Sequence, residues 1–117
     1  MVNYIKTMPK EPSFRQNGLM GYTFDINNPN LEISFVDSIK GHDKYVLNSV
    51  STHIYYILQG EGTFCIDKNI YNVKTGDLIE IPPNIEFVYK GIMKLILVMN
   101  PVFNSENCKD GKDNDLY

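Results

Sequence analysis

Residues 51–67 read STHIYYILQGEGTFCID. From His53 to Gln59 the segment is rich in Ile, Tyr and Leu, with the aromatic and β-branched types that fit a pleated strand. Gly60 and Gly62 flank Glu61, and TFCID (63–67) is a second strand-like run. The expected local structure is a strand, a hairpin turn over 60–62 and a returning strand. Side chains alternate along a strand, so His53, Tyr55 and Ile57 share one face, and Ile54, Tyr56 and Leu58 take the other.

The pattern continues outward. GYTFDI (21–26) and LEISFVDSI (31–39) read as strands joined by NNPN (27–30). KGHD (40–43), which contains His42, reads as a turn, and KYVLNSVS (44–51) is ambiguous. Downstream, IYNV (70–73), LIEI (78–81), EFVYKG (86–91) and MKLILVM (93–99) are strands, with turns at KN (68–69), KTGD (74–77) and PPN (82–84). No long stretch carries a capped helical period. Short strands with turns every ~8–12 residues predict an all-β sandwich or barrel. Residues 1–18, with Pro9, Pro12, Asn17 and Gly18, form an arm with room for one edge strand. Residues 19–103 form the barrel, and NSENCKDGKDNDLY (104–117) is a polar, mobile tail. The DGKDND run lacks the distal bidentate glutamate of a calcium loop.

The 117 residues suit one domain with its own core, and 43% hydrophobic and 21% charged residues are those of an ordinary globular chain. Net charge is −3 with no basic stripe, so nucleic acid is not an expected partner. No apolar run approaches the ~20 residues of a membrane span. The first residues, MVNYIKTMPKEPSF, lack the apolar segment of a secretory signal, so a cytoplasmic location is expected. Cys65 and Cys108 have no Cys-x-x-Cys partners and are expected to be reduced thiols.

The spacing of glycines and prolines resembles that of the cupin superfamily, small jelly-roll barrels (double-stranded β-helices) with two spaced motifs. Gly41 and Gly60 fall in frame with the first motif. Gly76 and Pro82 fall in frame with the second, with Asn84 in place of a glycine. This implies an all-β cupin-type barrel. In metal-binding cupins, three histidines and a glutamate point inward. The corresponding residues here are Leu47 and Ser49, His53 in the glutamate position, and Phe87. A shift of one residue gives Val46 and Asn48 for the first two, which restores no histidine. Leu and Phe have no lone pair to offer, so neither a resident metal nor another cofactor is expected.

If the frame holds, His53, Tyr55, Phe87 and Tyr89 line an aromatic pocket, and Ser49 joins them as a ligand-binding candidate. Glu86 and Val88 point away. Such a pocket suits a small polar or sugar-like ligand held by stacking and a few hydrogen bonds. The first expectation is therefore a metal-free small-molecule-binding cupin. The alternative is a metal-independent sugar isomerase or epimerase, with His53 as base and Tyr55 or Tyr89 as acid. In either case Glu80 and Glu86 meet His53 only in a different register. The single arginine, Arg15, is too little for the diphosphate of a sugar nucleotide. The resemblance also implies a homodimer, with the arm at 1–18 available to cover a sheet edge.

Overall fold

A computed structural model describes residues 3–117, almost all of whose regular structure is strand. The elements, in chain order, are β1 (Phe14–Gln16), β2 (Leu19–Thr23), β3 (Glu32–Ser38), β4 (Lys44–Asn48), β5 (Thr52–Ile66), β6 (Asn69–Lys74), β7 (Leu78–Ile81) and β8 (Phe87–Asn100). A 3₁₀ turn at Ser105–Asn107 and β9 (Cys108–Asp113) follow. The hydrogen-bonded order is β1-β2-β3-β8-β4-β9, and β5 branches from it to pair with β6, β7 and β8. The named strand pairs are all antiparallel. The fold is the all-β jelly-roll barrel expected from the sequence.

The opening stretch differs in one respect. Gly60-Glu61-Gly62 is not a hairpin turn but the middle of the 15-residue β5. Both halves of β5 pair with β8, from Thr52↔Asn100 to Ile66↔Phe87, with a register shift between Ile57 and Gln59. The glycines bend the strand and let two backbones approach. Gly60 sits at φ +96°, and a Cβ there would stand 2.2 Å from the Ile92 carbonyl oxygen. The hairpin lies later, at Asp67 (φ 50°) and Lys68 (φ 68°), between β5 and β6. Two left-handed residues in a row match the right-handed twist of the strands they join. EFVYKG and MKLILVM likewise fuse into one strand, β8, through Gly91 at φ +138°.

The barrel interior follows from alternation. Met93, Leu95, Leu97 and Met99 on β8 are buried, as are Tyr55, Ile57 and Phe64 on β5 and Ile81 on β7. Fully burying a side chain of this kind stabilises by about 1.5–3 kcal/mol, so this inward row outweighs any single ladder hydrogen bond. A smaller cluster of Tyr45, Cys65 and Val88, with Leu116 against it, lies outside the main core. Val88 thus points away from the pocket, as expected.

The tail is a second correction. Residues 104–117 carry the 3₁₀ turn and β9, and β9 pairs with β4 from Lys44↔Asp113 to Asn48↔Cys108. Acidic and amide side chains there anchor the segment: the Tyr45 hydroxyl donates to Asp115 at 2.6 Å, and Asn114 is buried. In the arm, β1 pairs with β2 of the same chain. Among the described residues, no helix is long and apolar enough to cross a membrane.

Gly60→Ala and Gly76→Ala separate backbone crowding from backbone conformation. Gly76 has φ +94° with nothing within 4 Å of where an added Cβ would stand, whereas a Cβ on Gly60 meets the Ile92 carbonyl. Gly76→Ala is expected to cost about 1–2 kcal/mol of stability, and Gly60→Ala clearly more, in urea denaturation. Equal costs would show that the β5–β8 approach at Gly60 is not tight.

Candidate functional site

A partly open cavity of about 520 Å³ lies against the barrel's inner residues. His53 and Tyr55 on β5 and Phe87 on β8 line its inner wall, with Val46 on β4 and Leu97 and Met99 on β8. His53 is 5% exposed and Tyr55 1%. The His53 and Tyr55 rings are nearly parallel, with centroids 6.3 Å apart, and Phe87 meets His53 edge-on at 5.1 Å. The inward set read from alternation is therefore assembled.

Tyr89 is placed differently. It is buried but does not line the cavity; it packs against Tyr55 at 5.5 Å and Phe64 at 4.8 Å, and edge-on against His42 at 4.9 Å. Ser49 is a correction: it lies past the end of β4, exposed, and its hydroxyl donates to the Asn107 carbonyl at 3.2 Å. The shifted register explains this. Val46 and Asn48 are buried, Val46 faces the cavity, and Leu47 and Ser49 fall on the outer side. Glu80 and Glu86 are exposed, so neither serves as a partner for His53.

His42, which the sequence pattern places in a turn with no further role, lines the cavity. Gly41, at φ +126°, bridges to Lys90, and a Cβ there would meet the Tyr89 carbonyl oxygen at 2.3 Å. Only glycine allows that approach, and it brings the next residue onto β8, where the His42 N–H donates to Tyr89 O at 3.1 Å. Three side chains hold the segment through four hydrogen bonds. The Gln16 side chain accepts from the Asp43 N–H at 2.9 Å. The Asn114 amide donates to His42 O at 2.8 Å and to Tyr89 O at 3.0 Å. The Tyr117 hydroxyl donates to His42 O at 2.8 Å. The in-frame glycine before one of only two histidines was the available signal. The mouth adds residues that strand pattern could not assign: Phe14 and Gln16 from β1, Glu32 from β3, Phe103, and Cys108 and Asp110 from β9.

Burial sets the electrostatics. It lowers His53 from its ordinary 6.5 to about 4. Burial lowers His42 to about 4 as well; the neighbouring His53 pushes further down and Asp43 opposes it. Both imidazoles are neutral at pH 7 and carry a lone pair. Burial raises the Tyr55 phenol, with Cys108 adding to the effect, and holds Tyr89 well above its usual range, so both stay protonated donors. Burial also raises Glu32, against the lowering effect of a hydrogen bond from the Phe103 backbone. Both cysteines are free.

Among the described residues, no group of three or more His, Cys, Asp or Glu side chains is gathered to hold a metal ion. The inward motif positions offer Val46, Asn48, His53 and Phe87, a donor set that does not fit a mononuclear centre.

A family model for the cupin domain matches residues 41–98, the segment that builds this wall. The chain belongs to the cupin superfamily. Among solved cupin structures, it is similar to Pac13 of Streptomyces, described as a unique nucleoside dehydratase. The identity is 25%, 96% of this chain and 93% of that one are covered, and the TM-score is 0.88. KdgF from Halomonas (14% identity, 82% and 90% covered, TM-score 0.70) and an RmlC-like cupin from Shewanella frigidimarina (21%, 82% and 87%, 0.68) share the fold. An uncharacterized protein of Methanocaldococcus jannaschii, MJ1618, is 36% identical over 61 residues, which span about half of each protein (49% and 49%).

The two neutral histidines predict an acid-sensitive fold. Their folded pKa values lie below the unfolded one, so the unfolded chain binds more protons between pH 6.5 and about 4. Their contribution to stability is complete above that window and falls with pH inside it, by roughly 1.4 kcal/mol per pH unit per histidine. Thermal melting from pH 7.5 down to 4.5 checks this. A His42→Gln/His53→Gln variant should show a flatter decline, and an identical slope in the variant would remove the histidines as its cause.

Proposed function

We propose that this cupin binds a nucleoside in its aromatic cavity and, without a resident metal, removes water from the sugar by proton transfer to His42. One observation carries this reading. The Streptomyces structures include H42Q, Y55F and Y89F variants with uridine. This chain has the same residue types at the same numbers, and His42, Tyr55 and Tyr89 form one connected aromatic group, His42 and Tyr55 lining the cavity and Tyr89 packed behind them.

The chemistry suits the groups available. Dehydration breaks a C–H bond at one carbon and the C–O bond at its neighbour. An imidazole can take such a proton only where an adjacent carbonyl stabilises the charge left behind, so the substrate is a nucleoside carrying a carbonyl on its ribose. Neutral His42 accepts the proton. Tyr55, kept protonated by burial, donates to the oxygen on which charge develops. The electrons left by the broken C–H bond form the new C=C bond as the neighbouring C–O bond breaks. The leaving hydroxide takes from His42 the proton it had accepted, so one water departs and the imidazole is neutral again. Tyr89, packed edge-on against His42, orients the imidazole.

A second reading keeps the proton transfer and changes the product. With His53 as base and Tyr55 or Tyr89 as acid, the same wall would move a proton beside a sugar carbonyl, as a metal-independent isomerase or epimerase does. The parallel His53 and Tyr55 rings on one inward face favour it. A homodimer belongs to the proposal as well, supported by Tyr56 and its cross-strand partner Leu78, which are exposed on the outer face of β5 and β7.

The test is uridine oxidised to a carbonyl on its ribose, incubated with metal-analysed protein and followed by mass spectrometry. Loss of one water is expected, and His42→Gln should slow it by about 100-fold or more while unmodified uridine still binds. A product of unchanged mass that depends on His53 would favour the isomerase. One equivalent of tightly bound transition metal would overturn the metal-free part.

A further inference from the structure

Among the described residues that line the cavity there is no lysine or arginine. The charged ones are Glu32, at the start of β3, and Asp110, on β9. His42 and His53, the other titratable nitrogens there, are neutral at pH 7. The cations lie elsewhere: Arg15 is exposed on β1, Lys44 pairs with Asp113 at 3.1 Å, and Lys112 pairs with Asp115 at 3.0 Å. One buried polar group in the cavity has bonding capacity to spare. His53 is almost wholly buried, faces into it, and makes none of the side-chain hydrogen bonds found among the described residues.

A phosphate taken from water into such a space needs cationic or N–H partners for its oxygens. Here it would meet two carboxyl groups instead. The same carboxyl groups can accept hydrogen bonds from the hydroxyls of a sugar or the N–H edge of a base. Resting on the nucleoside reading above, we infer that the site takes an uncharged nucleoside and rejects its phosphorylated forms, with Glu32 and Asp110 as the specificity-determining residues. The substrate class is then a free nucleoside oxidised at the sugar, and a reaction that removes phosphate or acts on unphosphorylated nucleosides must supply it.

Isothermal titration calorimetry with uridine and uridine 5′-monophosphate tests this on wild type, Glu32→Gln, Asp110→Asn and the double variant. Wild type should bind uridine about tenfold or more tightly than the monophosphate. The gap should narrow in the double variant, checked by its melting curve to be folded. It should also narrow in wild type when salt is raised from about 0.05 to about 0.5 M, because like-charge repulsion is screened and a steric barrier is not. Equal affinities in wild type overturn the charge exclusion and leave the nucleoside reading standing. A gap that neither salt nor the double variant moves takes the discrimination away from Glu32 and Asp110. No binding of either compound to wild type overturns the nucleoside reading and this inference together.

Discussion

Strand β8 is hydrogen-bonded along both edges, and everything else in the molecule is placed relative to it. On one edge it runs beside β5 for nearly the whole length of both strands. On the other it holds β3 along Met93–Met99 and meets β4 at Phe87. A doubly paired strand cannot slip by one residue without turning all its side chains over, on both sides at once. That fixes Phe87 and Tyr89 inward and Val88 outward, and it fixes His53 and Tyr55 on β5 through their β8 partners, Met99 and Leu97. Even His42, which lies on no strand, takes its place from the Tyr89 carbonyl.

The wall this produces is an uncommon combination of apolar packing and usable polar atoms. Two imidazoles and the Tyr55 phenol sit beside Phe87 and Leu97, far enough from water to stay uncharged and at the cavity surface to meet a ligand, and the Tyr89 phenol packs behind them against Phe64. Of the four inward motif positions, two are hydrocarbon here, Val46 and Phe87, one is an amide, Asn48, and one is an imidazole, His53. The barrel keeps the turn glycines of the cupin frame, because Gly41 and Gly60 serve backbone approach, which the fold needs whatever the chemistry.

How much of this could be read from the sequence depended on range. Alternation is local, so the inward set of His53, Tyr55 and Phe87 and the strand at 78–81 were legible. The role of Gly60 was not, because glycine permits a turn and a close strand crossing equally well, and only the partner strand distinguishes them. Ser49 was misplaced by one step of register, the smallest error that exchanges the faces of a strand. Asp110 is far along the chain from Glu32 and His42, and those two lie on a strand and in the turn after it, so no local period brings the three together. The polar composition of residues 104–117 signalled exposure, which is also what an edge strand with an outward face presents.

The hydrogen bonds from Asn114 to the His42 and Tyr89 carbonyls separate the shape of the barrel from the finish of its site. The buried residues of the main core all lie on strands β2 to β8. The backbone around His42, however, is held by the side chains of Asn114 and Tyr117, beyond β9. Hydrocarbon packing and side-chain hydrogen bonds thus divide the work, and a change confined to Asn114 would loosen the histidine while leaving the core in place.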